Sequence, residues 1–126
     1  MGRTIIVTGG ANGIGRCITE HFASEGDTVY ILDKEAKQTV LEQHKGWNAT
    51  GYIGDIADKQ TLLDFAGQVL SEHPEGIHCI INNACLMQGG VLDGCEYEDF
   101  LYVQRVGVAA PFMLAKLFKD HFIGLG

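Results

Sequence analysis

Short apolar runs alternate along the chain with amphipathic helical patterns. Strands are predicted where β-branched and aliphatic residues cluster, at Thr4–Val7, Thr28–Leu32, Ala49–Gly54 and Ile77–Ile81. Helices are predicted over about Gly13–Glu25, Lys34–His44, Lys59–His73 and Tyr97–His121. Because strands joined through crossover helices lie parallel, the pattern predicts one α/β domain over residues 1–126, an open parallel sheet with helices on both faces.

The last helical pattern is apolar around most of its circumference, so we expect it to be buried on more than one side. Pro111 interrupts it. Proline has no N–H to donate to the carbonyl oxygen of Gly107, four residues earlier, and we therefore expect a free carbonyl and a kink at this point.

A glycine-rich turn, Thr8–Gly15, separates the first strand from the first helix. A strand that turns sharply into a helix points unpaired N–H groups and the positive end of the helix dipole at one spot, which favours an anion. We expect Gly9 to take a positive φ, Gly13 to admit a pyrophosphate and Gly15 to let the helix pack on the strand. A turn without a ligand is the alternative. The phosphate loop of nucleotide triphosphatases is excluded, since Arg16 and Cys17 follow where lysine and a hydroxyl are required.

Asp33 ends the second strand about 20 residues after the turn, where dinucleotide-binding proteins carry an acidic residue. A carboxylate there accepts both ribose hydroxyls and repels a 2′-phosphate, which predicts NAD in preference to NADP. A helix N-cap is the alternative role for Asp33. The dinucleotide interpretation predicts a Rossmann-type sheet with strand order 3-2-1-4.

Composition and charge narrow the possible partners. The 126 residues are 46% hydrophobic, enough for a core, and 16 acidic against 9 basic residues give a net charge of −7. Without a basic cluster, nucleic acid is not expected as a partner. No apolar run approaches the ~18 residues of a membrane span, and a strand begins within three residues of Met1. We therefore expect a cytoplasmic protein without a signal peptide or membrane contact.

Cysteines and histidines are spread too widely for a metal site. No Cys-x-x-C pair occurs, and the histidines fall on separate predicted elements. We expect no metal and reduced thiols. The residues concerned are Cys17, Cys79, Cys85, Cys95, His21, His44, His73, His78 and His121.

Three ordered motifs together carry a resemblance over essentially all of the chain. They are Thr8-Gly9-x-x-x-Gly13-x-Gly15, Asp55 after the third strand, and Asn82-Asn83-Ala84 after the fourth. The sequence resembles the short-chain dehydrogenase/reductase family in these motifs. The resemblance implies that Asp55 and Ile56 flank the adenine, that Asn83 approaches the cofactor and that Asn82 ties the central strands together. The full cofactor-binding set that we predict is Gly9, Asn12, Gly13, Ile14, Gly15, Asp33, Asp55, Ile56, Asn82, Asn83 and Ala84.

The sequence departs from the family pattern at three points. Cys85 replaces the glycine that ends the family's Asn-Asn-Ala-Gly motif, which we interpret as a packed small residue rather than a thiol near the nicotinamide. The family's relay asparagine aligns with Gly107, whose carbonyl oxygen we hypothesise holds the relay water instead. The catalytic serine and the Tyr-x-x-x-Lys pair are expected beyond Gly126, so no catalytic residue is assigned. We expect none of Tyr30, Tyr52, Tyr97 and Tyr102 to substitute.

Two functions follow from this sequence. The first is the dinucleotide-binding half of an NAD(P)-dependent oxidoreductase that transfers hydride between nicotinamide and an alcohol or carbonyl substrate. In this case the chain is truncated after the fourth β-α unit and inactive alone. The second is a non-catalytic half-domain that binds a dinucleotide or a partner. Under either, the unpaired strand Ile77–Ile81 and the apolar last helix predict a homo-oligomer or another partner.

Overall fold

A four-stranded parallel sheet forms the centre of the molecule in the computed structural model, which describes residues 2–34, 46–86 and 92–124. The strands are β1 Thr4–Thr8, β2 Thr28–Asp33, β3 Asn48–Ile53 and β4 Cys79–Asn82. They pair in the order β3-β2-β1-β4, and every pairing is parallel. The predicted fold class and strand order are therefore confirmed.

The helices follow the predicted periodicity closely. They are α1 Gly13–Ser24, α2 Lys59–Glu72, α3 Tyr97–Gln104 and α4 Ala110–Phe118, with a π-helical turn at Arg105–Ala109 and a short 3₁₀ turn at Leu92–Gly94. Asp58 caps α2, because its side chain accepts a hydrogen bond from the N–H of Gln60. The helix predicted over Lys34–His44 lies outside the described residues except for Lys34 itself.

The strands are apolar on both faces because each face is covered by helices. Neighbouring residues of β1 point to opposite sides, as the strand period of two requires. One face packs against α2 and α4 around a cluster that includes Ile6, Leu32, Phe65, Leu114 and Phe118. The other packs against α1 around a cluster that includes Ile5, Val7, Ala23, Val29 and Ile31. Helices on both faces were predicted, and this is confirmed.

Strand β4 begins two residues later than predicted, and the edge beside it is not fully unpaired. Ile77 forms a parallel bridge with Phe122. Its N–H donates to the carbonyl oxygen of His121 at 2.8 Å, and its carbonyl oxygen accepts from the N–H of Ile123 at 2.7 Å. His78 lies at the strand end, as expected, where its Nδ1 accepts the N–H of Thr4 at 3.0 Å. The segment after α4 thus supplies hydrogen-bond partners for the backbone of Ile77. This residue is the first of the strand Ile77–Ile81, whose edge was predicted to be unpaired.

The long final helix differs from its prediction in two ways. It ends at Phe118 rather than His121, and it contains the π-helical turn at Arg105–Ala109 just before Pro111. The N–H of Ala110 bonds the carbonyl oxygen of Arg105, five residues back. Proline thus alters the helix as expected, through a wider turn in which one extra residue is accommodated.

Only one side of this helix is buried in the described part of the chain, so the prediction of burial on several sides is wrong. The buried residues recur every four positions, at Val106, Ala110, Leu114 and Phe118. Phe100, Val108 and Phe112 are 52–62% exposed on the remaining surface. No other described element covers this surface, which the apolar pattern alone did not reveal.

The same segment, Tyr97–Phe118, has the length and apolarity of a membrane-spanning helix, contrary to the expectation that none was apolar enough. A core helix of a soluble protein has the same properties. Its buried residues pack against the sheet with those of α2, so the fold accounts for the buried side of this helix but not for its exposed apolar side.

Candidate functional site

The glycine-rich turn leaves β1 in the conformation that the sequence predicted. Gly9 has a φ of +66°, which other residues rarely adopt. Its N–H donates to the carbonyl oxygen of Leu32 at 2.9 Å, which fixes the turn to β2. The turn therefore opens at the carboxyl ends of the two central strands, where open α/β sheets bind ligands.

Gly15 is the point of closest packing between α1 and the strand ends. A β-carbon at this position would lie 2.1 Å from the carbonyl oxygen of Gly9 and 2.4 Å from Nδ2 of Asn83. Neither distance is physically possible, so only glycine fits. The close packing predicted for Gly15 is confirmed. A β-carbon at Gly13 meets nothing within 4 Å, which leaves the start of α1 open on that side.

The start of α1 has the properties of an anion site. The helix begins after Asn12, and its first turn carries no acidic side chain. The first N–H groups of a helix have no carbonyl partner within it, and the dipole adds partial positive charge. A phosphate group is the ligand that such a helix end accommodates best.

Asp33 lies directly beside this turn. Its Oδ2 accepts the N–H of Ala11 at 3.2 Å, so the carboxylate at the end of β2 is tied to the glycine loop that follows β1. The alternative role as a helix N-cap concerns the segment after Lys34, which lies outside the described residues. The Asp33 carboxylate therefore lies beside the glycine-rich turn, where the sequence predicts a carboxylate that binds the ribose.

The Asn-Asn-Ala segment closes the other side of the loop. The Nδ2 group of Asn83 donates to the carbonyl oxygen of Gly9 at 3.1 Å, and the N–H of Ala84 donates to the Oγ1 of Thr8 at 3.1 Å. Asn82 is the exposed last residue of β4 and pairs with Thr8 through the main chain. The tie between the central strands that the resemblance implies for Asn82 is thus made by its main chain, and the side-chain bond of Asn83 to the turn after β1 adds to it.

Asp55 is held at the third strand end by donors from two elements. Its Oδ1 accepts the N–H of Ala57 at 2.9 Å, and its Oδ2 accepts the hydroxyl of Tyr102 at 2.6 Å. Lys34 completes the group, since its Nζ donates to the hydroxyl oxygen of Tyr102 at 2.8 Å and lies 3.9 Å from Asp55 Oδ2. The carboxylate lines the same cleft as the glycine loop.

These strand ends surround a cleft of about 620 Å³, within the usual size range of cofactor sites. Most of the predicted residues line it, whereas Gly13, Gly15 and Asn82 do not. Those that line it are Gly9, Asn12, Ile14, Asp33, Asp55, Ile56, Asn83 and Ala84. Residues outside the predicted set also line it: Leu32, Lys34, Gly54, Cys85, Leu86 and Val106. Cys85 is exposed there, so its interpretation as a packed small residue is wrong.

Lys34 follows Tyr30 by four residues, so the two residues match the family's Tyr-x-x-x-Lys spacing. Spacing in the sequence therefore does not exclude Tyr30 as an acid/base residue. In a strand, residues four apart are separated by ~13 Å, whereas in a helix they are neighbours. The Tyr30 hydroxyl is buried and donates to Glu72 of α2, while Lys34 contacts Tyr102. The structure excludes this pair as an acid/base couple.

Metal ligands do not converge in the described part of the chain. No group of three or more histidine, cysteine, aspartate or glutamate side chains lies close enough to hold an ion among residues 2–34, 46–86 and 92–124. The four cysteines are free thiols, and Cys85 is exposed at the rim of the cleft.

A parallel α/β sheet with a glycine-rich turn, a helix N-terminus and a carboxylate at the next strand end defines a nucleotide-binding protein. Comparison with known proteins specifies the family. The family model of the short chain dehydrogenases matches residues 3–125. The chain belongs to this family, whose members are oxidoreductases.

Individual relatives agree with this assignment. An uncharacterized oxidoreductase of Thermotoga maritima is 26% identical over 99% of this chain and 50% of its own length. An apo SCOR enzyme from Clostridium thermocellum superposes with a TM-score of 0.87 at 36% identity, over 98% of this chain and 50% of that one. A metagenomic short-chain oxidoreductase in complex with NADP gives 0.88 at 25% identity, over 94% and 56%. The chain spans about half the length of the relatives it matches.

Proposed function

We propose that this chain is the dinucleotide-binding half of an oxidoreductase that transfers hydride between a nicotinamide cofactor and an alcohol or carbonyl substrate. The observation that carries the proposal is the convergence of the α1 N-terminus, Asp33, Asp55 and Asn83 on one cleft. A dinucleotide needs an anion site for its pyrophosphate and hydrogen-bond acceptors for its ribose and base. The cleft supplies both.

Each predicted residue has a role in this proposal. Gly9, Asn12, Gly13, Ile14 and Gly15 form the cradle in which backbone N–H groups hold the pyrophosphate. The Asp33 carboxylate accepts the hydroxyls of the adenosine ribose, and Asp55 and Ile56 flank the adenine. On the other side, Asn82, Asn83 and Ala84 form the wall towards the nicotinamide. When bound, the nicotinamide supplies the position that accepts or releases hydride.

We infer that NAD is preferred over NADP. A 2′-phosphate would bring negative charge next to the Asp33 carboxylate, which is held on the glycine loop by the N–H of Ala11. The similar structures include complexes with NADP and with NADPH, so relatives of this fold bind the phosphorylated cofactor. The inference for this chain rests on Asp33.

Catalysis requires residues that the described part of the chain does not place at the cleft. No tyrosine lines the cleft in the described part of the chain, and we propose that the chain alone is inactive. The family's acid/base tyrosine, its lysine and its serine would come from the remaining half of a longer protein. The carbonyl oxygen of Gly107, in the π-helical turn, remains our hypothesis for the group that holds a relay water.

The alternative is a non-catalytic half-domain that binds a dinucleotide or a protein partner. The observation that favours it is the exposed apolar surface of the last helix, which includes Phe100, Val108 and Phe112. Under either function we propose a homo-oligomer in the cytoplasm. An assay of hydride transfer with the longer protein separates the two functions.

Dinucleotide binding is tested by titrating the purified chain with NADH and following the cofactor's fluorescence. Gly15→Ala introduces a β-carbon on the Gly9 carbonyl and should weaken binding by at least ~10-fold, because the loop must move. Gly67→Ala is the matched control: Gly67 lies in α2, and a β-carbon there meets nothing within 4 Å. Absence of saturable binding by the unmodified chain would refute the proposal.

A further inference from the structure

The neighbours of Tyr102 fix the direction of the hydrogen bonds at its hydroxyl group. The ammonium group of Lys34 has three hydrogen-bond donors and no acceptor, so the hydroxyl oxygen of Tyr102, 2.8 Å away, must accept. The hydroxyl hydrogen is then directed at Asp55 Oδ2, 2.6 Å away. An ionised carboxylate is only an acceptor, so this arrangement is consistent at both ends. Lys34, Tyr102 and Asp55 form a chain of donors with one direction.

This chain fixes the orientation of the Asp55 carboxylate. One oxygen is held by the main-chain N–H of Ala57 and the other by Tyr102, which lies 47 residues after Asp55 in the sequence. A carboxylate held at both oxygens cannot rotate to meet a ligand, so it is organised before binding.

The remaining lone pairs of Asp55 select the ligand. A carboxylate offers about four acceptor positions, of which the bonds from Ala57 and Tyr102 occupy two. A ligand group that donates, such as an exocyclic amine, is accepted at this part of the cleft. A carbonyl oxygen in the same place is repelled, and a carboxylate that is held in position cannot turn away from it.

We propose that Tyr102 is a positioning residue, oriented by Lys34, that fixes Asp55 and so selects the amino group of the adenine base. The inference rests on the proposed function, because it assigns the Asp55 end of the cleft to the adenine. Tyr102 does not line the cleft and acts through Asp55. It adds a residue of α3 to a site that is otherwise built from strand ends.

The test compares NAD with the analogue whose base is hypoxanthine, in which a carbonyl oxygen replaces the adenine amine. Both are titrated into the unmodified chain, into Tyr102→Phe and into Tyr97→Phe, with heat of binding as the signal. Tyr97 is a matched control on the same helix, 71% exposed. We expect the unmodified chain and Tyr97→Phe to prefer NAD by ~10-fold, and Tyr102→Phe to reduce this ratio to about 2–3.

A second variant, Lys34→Met, keeps the Tyr102 hydroxyl but removes the group that orients it, and should also reduce the ratio. The ratio is informative because loss of packing alone would weaken both dinucleotides equally. If the unmodified chain binds NAD and Tyr102→Phe keeps its preference, the inference about Tyr102 is overturned while the proposed function stands. If the unmodified chain binds neither dinucleotide, the proposed function fails and the inference with it.

Discussion

The side-chain amide of Asn83 donates a hydrogen bond to the carbonyl oxygen of Gly9, 74 residues earlier in the chain, at 3.1 Å. This bond joins the end of β4 to the turn that follows β1. It also occupies the space beside Gly15, where a β-carbon would collide with both partners. The shape of the glycine-rich turn therefore depends on a residue from the end of the neighbouring strand β4.

Asn83→Ala should loosen this turn. We expect the dissociation constant for NADH to rise ~10-fold, since one buried hydrogen bond and the order of the loop are lost. Asn48→Ala is the control, because its amide also makes a side-chain bond, to Thr28 Oγ1 at 2.8 Å, but at the start of β3. An equal effect of the two variants in a fluorescence titration would show that Asn83 acts only through general stability.

Asp33 is expected to set the choice of cofactor. Asp33→Asn keeps an oxygen that can accept the Ala11 N–H but removes the charge that opposes a 2′-phosphate. The preference for NAD over NADP should fall by ~10-fold. Asp64→Asn removes a charge on the exposed side of α2 and should leave the ratio unchanged. Equal affinity of the unmodified chain for both cofactors would remove the basis of this prediction.

Acid should destabilise the fold through Asp27, whose side chain is fully buried. Burial acts to raise the pKa of Asp27, but hydrogen bonds from the side chain and backbone N–H of Arg3 outweigh it and lower the pKa from 3.8 to about 2. The folded state thus favours the carboxylate. The contribution of the ionised Asp27 to the free energy of unfolding is complete above pH ~4. It is lost as the pH falls towards 2, by as much as ~2 kcal/mol.

Urea unfolding between pH 2 and pH 7 measures this loss. Asp27→Asn cannot ionise, so its free energy of unfolding should be lower at neutral pH and flatter between pH 4 and pH 2. Asp64→Asn again serves as the control, since that carboxylate is exposed. A slope in this pH range that is the same in Asp27→Asn and in the unmodified chain would assign the acid sensitivity to other groups.

Tyr30 should contribute to stability and not to binding. Burial and the hydrogen bond to Glu72 raise the pKa of Tyr30, so the hydroxyl stays protonated over the working range of the protein. We expect Tyr30→Phe to lower the free energy of unfolding by ~1 kcal/mol and to leave NADH affinity unchanged. A large loss of affinity in a variant that remains folded would place Tyr30 at the site after all.

The exposed face of the last helix should govern self-association. Phe112 is 62% exposed beside Leu101 and Val108, and Phe112→Glu puts a charge in this apolar surface. We expect the variant to sediment as a smaller species than the unmodified chain. Leu63→Glu, on the exposed side of α2, should sediment like the unmodified chain. An unmodified chain that sediments as a monomer would contradict the proposed homo-oligomer.

Local patterns were sufficient to predict most of the fold. Apolar runs located β1 and β2, and period-3.6 patterns located α1 and α2, to within one or two residues, because the apolar positions of each element are continuous. Pro111 predicted a kink in the last helix. The π-helical turn found there depends on how neighbouring turns share backbone hydrogen bonds, and no single residue specifies this. The exposure of Phe112 depends on what lies beside the helix, which its own periodicity cannot report.

The site was predictable where motifs exist and not elsewhere. Gly9, Asp33 and Asn83 were found through their positions at strand ends. The side-chain bond of Asn83 to Gly9 was not predicted, because it depends on the geometry of the turn after β1. Tyr102 was missed since it lies on a helix far from any motif, and only the fold brings it to Asp55.

The most direct test of the account is a titration of the isotope-labelled chain with NADH, followed by the backbone amide signals in NMR. The proposed site predicts saturable shifts at the amides of Gly9, Gly15 and Asn83 and at the strand ends that carry Asp33 and Asp55, with one cofactor per chain. Saturable shifts confined to the last helix around Val108 and Phe112, or no shifts at NADH concentrations on the order of 1 mM, would contradict it.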